Sequence, residues 1–348
     1  MFHMKFLKYA FLVLGCLIWA VGLSPALLSE AGKLNLIEDS YRFGDLYRLS
    51  NLAQFKDPRN ECVGYKVPAR SNTSQKIHLY IIGDSFTEEQ RVGKKNFAVD
   101  AYTYVHWNEF LHLRIDSSET NILLLESVER HLREKMKDTV QNLIPDHATF
   151  VSRGDPARFM NRLDNAFKSR STEDRLDELL FQNNVILTLK EWKSAFNYRF
   201  FNRVNKGVTL VNNDENVVYY MDTDTPNITS SFSSIKETEI DSIVRNLNSS
   251  QDFARNLGFD HVILSVIPNK VSVLMPESGN YNNLIERIYS HHDLKVPFID
   301  VLTDFRKMDS GSYLKGDSHW TCEGQYLWLD KVNAFIKSIE KPEKPQNP

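Results

Sequence analysis

The stretch Ile77-His78-Leu79-Tyr80-Ile81-Ile82-Gly83-Asp84-Ser85-Phe86 decides the fold class of this chain. From Lys76 to Ile82 the run is mostly apolar and of strand length, and it stops at a glycine. A run this continuous suits a strand covered on both faces, as in a parallel sheet layered between helices. Gly83 lets the backbone turn sharply. Ser85 then sits at the C-terminal end of the strand, where open α/β sheets place their sites.

Three further runs share this character: Asn121–Ser127 (NILLLES), His261–Ile267 (HVILSVI) and Val296–Val301 (VPFIDV). Helical patterns lie among them, over Glu237–Leu257 with Gly258 as a C-cap, Tyr281–His291 and Gly324–Lys337. Strands alternating with helices predict a three-layer α/β/α fold with a mostly parallel sheet. Residues 31–75 are mixed and polar. Residues 144–225 read differently. They hold a charged helical tract (Ser171–Leu180), a second helical tract around Leu187–Phe201, and two short apolar runs flanking the polar turn Asn212–Asn216. This stretch is expected to be an insertion, with the layered domain formed by 76–143 and 226–340 and a short tail at 341–348.

The N-terminus has its own chemistry. No charged residue occurs from Tyr9 to Ser29, and 20 helical residues rise ~30 Å, the thickness of a bilayer core. Lys5 and Lys8 precede the run and Glu30 follows it, so the positive-inside rule keeps the N-terminus in the cytoplasm and exports the rest. The expectation over residues 1–30 is an uncleaved single-pass anchor in the cytoplasmic membrane, with Pro25 ending or kinking the helix. A cleaved signal peptide, or a lipoprotein processed at Cys16, is the alternative.

Composition narrows the partners. A 348-residue chain with 42% hydrophobic and 25% charged residues is long enough for a substantial core. Its net charge of −3 comes with no sustained basic stripe, which argues against nucleic acid. No internal repeat and no Cys/His cluster of metal-ligand spacing is visible, so no metal is expected. Of the three cysteines, Cys16 lies in the apolar run. Cys62 and Cys322 either pair in an oxidising compartment or remain separate buried thiols. Asn72, Asn227 and Asn248 begin acceptor sequons.

A second segment, Asp317-Ser318-His319-Trp320, complements the first. In extended chain, residues i and i+2 point the same way. The Asp317 carboxylate can then accept from one ring nitrogen of His319, leaving the other as a base for Ser85. The Ser85 backbone amide is a candidate oxyanion donor if a helix begins just after the turn. Each half has a plainer reading: Asp84 or Ser85 could cap a helix, His319 could sit in a structural salt link, and Trp320 could be core.

Together the two segments resemble the SGNH (GDSL-type) hydrolase superfamily, in its Gly-Asp-Ser block and its C-terminal acid–histidine block. That superfamily usually has two residues between Asp and His, whereas this chain has one. The Asp-x-His-Trp form is similar to that of the periplasmic alginate O-acetyltransferase family. The same holds for Asn121–Leu132 (NILLLESVERHL), Ser265–Leu274 (SVIPNKVSVL) and Tyr313–Gln325 (YLKGDSHWTCEGQ). The likeness covers roughly 76–135 and 258–340, and the order of the blocks is reversed relative to the alginate proteins. It implies Ser85 as nucleophile, His319 as general base and Asp317 as its orienter. Asn269 would be a second oxyanion donor, and Trp320, Lys270 and Arg130 would be substrate-binding candidates. Arg130 with Glu126 could equally be a structural pair.

The resemblance implies an exported, membrane-anchored O-acyltransferase, with acetyl as the acyl group and a cell-surface polysaccharide as acceptor. A multi-span membrane acyltransferase would be the donor, and no soluble cofactor would be required. The alternatives are a carbohydrate or lipid esterase using the same residues, and a non-catalytic polysaccharide-binding or assembly subunit.

Overall fold

The computed structural model describes residues 2–34, 38–59, 61–70, 75–145, 170–278 and 280–340. The Asn72 sequon, the middle of the expected insertion and the 341–348 tail lie outside them. The chain divides into two compact units: Met1–Arg59 with Val151–Asn205, and Asn60–Phe150 with Lys206–Pro348.

In the second unit the strands are β1 (Ile77–Gly83), β2 (Ala101–His106), β3 (Leu111–Leu113), β4 (Thr120–Val128), β5 (Leu143–Pro145), β6 (Val208–Val211), β7 (Asn216–Tyr219), β8 (His261–Ile267) and β9 (Phe298–Ile299). Five form one sheet in the order β2-β1-β4-β8-β9, and every pairing in it is parallel. All nine residues of β4 are buried, as are six of seven in β1 and in β8. Consecutive strand residues face opposite ways, so this burial means that both sheet faces are covered. The expected strand at Val296–Val301 is reduced to β9, an edge strand paired at two positions. β2, on the other edge, has a half-buried pattern without the continuous apolar run of the central strands.

The covering helices follow from periodicity. In Glu237–Asn256 the buried Ile240, Ile243, Val244 and Leu247 recur at helical spacing. Glu237 and Glu239 stand in the first turn and Arg255 in the last, matching the helix dipole. Gly258, at φ +108°, ends the element as expected. Cys322–Ile339 is capped by Thr321, whose hydroxyl accepts from the Gly324 amide, and it buries Trp328, Leu329, Val332 and Ile336. The expected helix over Tyr281–His291 is shorter, Leu284–Tyr289.

The β6–β7 hairpin turns through Asn212, Asn213 and Asp214, all in the left-handed region that Asn and Asp tolerate best. Read from sequence as the end of an insertion, it belongs instead to the sheet-bearing unit. Val211 and Val218 pack on Val271 and Leu274, contacts that alternation alone does not reveal. The helical tracts of the expected insertion group with the N-terminal residues. In that first unit the long helix Phe2–Leu23 is followed by Pro25–Lys33, with the break at Ser24 ahead of Pro25. Its segment Lys5–Leu23 is long and apolar enough to cross a membrane. Among the described residues, Arg170–Phe181 and Asn184–Phe201 are its other longer helices.

Cys62 and Cys322 form a disulfide. The segment it carries is further held by Tyr326, whose hydroxyl accepts from the Gly64 amide at 2.9 Å, and by Tyr65, whose hydroxyl donates to Asp330 at 2.9 Å. A bond closing a loop of this length restricts the unfolded chain strongly. Cys62→Ser is expected to cost about 2–4 kcal/mol of stability. Denaturant titration of the variant, and of the wild type with and without reductant, checks this. Equal midpoints for oxidised and reduced wild type would contradict it.

Candidate active site

β1 and β4 are neighbours, but the chain leaves them toward opposite edges of the sheet. Strand order therefore reverses between them, and a crevice opens at their C-terminal ends. The turn Asp84–Thr87 lies there. Asp84 is buried, and its carboxylate accepts from the amides of Phe86 at 3.2 Å and Val128 at 2.8 Å and from Lys135 Nζ at 3.3 Å. Burial alone would raise its pKa. Lys135 and the two amides outweigh this and hold it below the usual carboxylate range.

Beneath the turn lies Glu126, fully buried in β4. Its Oε2 accepts from the Asp84 amide and the Thr87 hydroxyl, both at 2.9 Å. Burial, and then the charge on Asp84, push its pKa well above normal. Glu126 is thus biased toward its protonated form, while Asp84, beside Lys135, is biased toward its charged one. Tyr104 donates to the Asp84 carbonyl at 3.0 Å, and Trp107 Nε1 to the Glu126 carbonyl at 2.5 Å. Gly83 is required for close approach: a Cβ there would collide with Thr87 Oγ1 and stand 2.9 Å from Glu126 Oε2.

The held turn presents Ser85, half-buried, with its Oγ 2.9 Å from His319 Nε2. His319 Nδ1 is 2.5 Å from Asp317 Oδ1, which also accepts from the His319 backbone amide at 3.0 Å. One carboxylate oxygen therefore fixes both the ring and the chain that carries it. Burial would raise the Asp317 pKa, but the hydrogen bonds from His319, and the positive charge that ring carries when protonated, dominate and hold it far below the usual range. With Nδ1–H donated to Asp317, Nε2 is left to accept from the Ser85 hydroxyl. The Ser85 amide has no hydrogen-bond partner among the described residues.

The loop carrying Asp317 and His319 is closed by the Leu314 amide on the His319 carbonyl at 3.0 Å and by a bridge between Tyr313 and Trp320. Lys270, buried at 2% exposure, donates to the carbonyls of Leu314 at 2.7 Å, Lys315 at 3.0 Å and Asp317 at 3.4 Å. Phe86 lies against the His319 ring, with centroids 4.7 Å apart, and meets Trp320 edge-on. Trp320 in turn packs on Trp328.

A cavity of about 630 Å³ opens beside Ser85, with Trp107, Asn108, His131, Gln141 and Asn142 in its wall. Burial, reinforced by Lys135 and Arg130, lowers the His131 pKa to about 4, so this imidazole is neutral at physiological pH.

The structure thus brings Ser85, His319 and Asp317 together and places the other candidates elsewhere. Asn269 is fully buried. Its carbonyl oxygen accepts from the Arg130 amide at 3.1 Å, and its amide nitrogen donates to Ser231 at 2.9 Å. Asn269 does not line the cavity beside Ser85, so it is not placed as an oxyanion donor there. Arg130 pairs with Asp222 at 3.6 Å and stacks on Tyr219. Its expected relation to Glu126 is absent, since Glu126 serves the Ser85 turn. Arg130, Lys270 and Trp320 are buried and do not line the cavity. Sequence reasoning missed Thr87, Tyr104, Lys135 and His131. The one available signal was an acid, Glu126, inside the apolar run NILLLES, because a carboxyl buried in a strand needs local donors.

Two outcomes follow from this geometry. Gly83→Ala is expected to lose about 1–3 kcal/mol, with part regained in Gly83→Ala/Thr87→Ala. Thermal denaturation of the four members of the cycle checks this, and strict additivity would contradict it. The second concerns Glu129, buried beside Asn269, whose amide donates to it at 2.8 Å. Burial raises its pKa from the ordinary 4.5 to about 7. Between those values the unfolded chain releases the proton and the folded chain keeps it, so this group's contribution to stability falls as pH rises. Asp317 acts with the opposite sign, its contribution being lost on acidification. Glu129→Gln should remove the Glu129 fall, so the stability difference between variant and wild type should grow in the variant's favour from about pH 4.5 to about pH 7. A pH-independent difference would refute the assignment.

No protein-family model, curated protein or solved structure matches this chain.

Proposed function

We propose that this protein is an exported, membrane-anchored serine O-acyltransferase that places an acyl group, acetyl in the first instance, on a hydroxyl of a cell-surface polysaccharide. The observation that carries the reading is the Ser85–His319–Asp317 chain of contacts, at 2.9 and 2.5 Å. Ser85 Oγ attacks the acyl carbonyl as its proton passes to His319 Nε2, and Asp317 stabilises the imidazolium. The Ser85 amide is the first donor to the developing oxyanion. His319 returns the proton to the departing donor group, leaving the acyl on Ser85. A sugar hydroxyl then attacks the ester, giving its proton to His319, and Ser85 leaves with that proton restored.

The acceptor class rests on the groove. Trp107, Asn108 and Gln141 line the cavity beside Ser85, an aromatic ring and two amides, a combination suited to a polyhydroxylated ligand. The likeness to SGNH-type O-acetyltransferases supports the same reading, with a multi-span membrane protein delivering the acyl group. By the positive-inside rule, Lys5 and Lys8 at the start of the apolar helix favour an N-terminus inside the cytoplasm and the chain after the helix outside it. The Cys62–Cys322 bond suits that oxidising side. Hydrolysis is the second reading, favoured by the open groove and the half-exposed Ser85, which water can reach.

Full-length protein in detergent, given a chromogenic acetyl ester, should form an acetyl adduct on Ser85 detectable by mass spectrometry. Ser85→Ala should form none and lose at least about 10³-fold in turnover. Asp317→Asn should lose on the order of 10⁴-fold while keeping its fold. Added oligosaccharide should divert acetyl from water to sugar. Acetate as the sole product with every acceptor would leave the esterase reading, and unchanged turnover in Ser85→Ala would remove both.

A further inference from the structure

The helix Asn184–Phe201 has two unlike faces. One is fastened within its own unit: Leu187 is buried, and Glu191 accepts from the Tyr47 hydroxyl at 2.5 Å and pairs with Lys56 at 2.9 Å. The other is open. Val185, Leu189, Trp192, Phe196 and Phe200 are between 51% and 72% exposed. They fall at i, i+4, i+7, i+11 and i+15, which is one continuous stripe on a helix. At 100° per residue, Lys193 flanks this stripe on one side and Arg199 on the other. Beside the helix a cavity of about 480 Å³ has Lys190, Lys193 and Arg203 in its wall and no carboxylate. Lys190 also reaches Asp177, at 3.7 Å.

The same unit contains the apolar helix segment Lys5–Leu23. Arg175 donates to the Gly22 carbonyl at 2.7 Å, and the Leu176 side chain lies against Gly22. Leu176 precedes Val185 by nine residues, most of them helical, so the stripe begins a short distance from the end of the span. Large aromatic residues between basic flanks are the composition of a helix lying in a membrane interface. A soluble surface rarely leaves five such side chains uncovered in a row.

We propose that this face lies on the bilayer crossed by Lys5–Leu23. The aromatic stripe sits at the boundary between headgroups and acyl chains, and Lys193, Arg199 and the Lys190–Lys193–Arg203 cavity hold the phosphates of anionic phospholipid. The inference rests on the membrane-spanning reading of the first helix and is independent of the chemistry at Ser85.

The test uses full-length protein in vesicles of phosphatidylethanolamine and phosphatidylglycerol carrying brominated acyl chains. In Trp19→Phe protein, Trp192 is the strongly exposed indole. In Trp192→Phe protein, Trp19 reports the span. Bromolipid should reduce the Trp192 emission, taken as the difference between Trp19→Phe and Trp19→Phe/Trp192→Phe, by about twofold, while aqueous acrylamide leaves it unchanged. The quenching should weaken at least about twofold in Lys193→Glu/Arg199→Glu protein or when phosphatidylglycerol is omitted. Trp192 quenched by acrylamide but not by bromolipid would overturn the proposal. So would shielding from both, which would mean that protein covers the face. Quenching indifferent to lipid charge would overturn the anionic part. Trp19 untouched by bromolipid would refute the span separately, because that signal does not depend on Trp192.

Discussion

Two carboxyls and one ammonium buried between β1 and β4 hold the turn on which the site depends. Asp84 and Glu126 are pushed in opposite directions by this packing. Glu126 takes the two donors nearest the strand, while Asp84 takes the amides of Phe86 and Val128 together with Lys135. Removing one partner of such a buried pair costs about 3–5 kcal/mol, since the other is left as an unpaired charge. Replacing all three by apolar groups would cost less stability, but the Ser85 turn would have nothing to hang from. Gly83 is part of the same constraint, because Thr87 and Glu126 occupy the space a side chain would need.

The acid–base loop is built on the complementary principle. Asp317 is buried and needs its charge answered, and His319 answers it. The loop's carbonyls converge inward and need a donor, and Lys270 supplies three hydrogens from a neighbouring element. Lysine suits the role because its ammonium can point donors at several carbonyls at once. Ser85 and His319, 234 residues apart in sequence, thus meet as the ends of two separately stiffened pieces. Phe86, Trp320 and Trp328 pack between the pieces.

Much of this is written locally in the chain, and some of it is not. β1, β4 and β8 were legible because burial on both faces leaves a continuous apolar run. β2 was not, because the half-buried AYTYVH of an edge strand carries no such run. Asp317 and His319 could be paired from their i, i+2 spacing, and Ser85 could be placed from the strand that ends before it. Asn269, Lys270, Arg130 and Trp320 were read by residue type as groups for a ligand. Their partners lie 44 to 139 residues away or in the aromatic core, and no local pattern announces such contacts. The hairpin at 208–219 shows the same limit: its alternation predicts a ribbon, but only packing on Val271 and Leu274 assigns it to a unit.

The Cys62–Cys322 bond has a topological consequence. It closes a covalent ring over a separation of 260 residues, and Ser85, Asp317 and His319 all lie inside it. A single cut anywhere between the two cysteines, including in the tract that joins the N-terminal unit, opens the ring without releasing either half of the site. Ser85 and His319 would stay on one molecule after a proteolytic nick, and their effective concentration would be set by a short tether rather than by diffusion. Proteases work on exposed loops, and the ring turns one such cleavage from a separation into a local rearrangement.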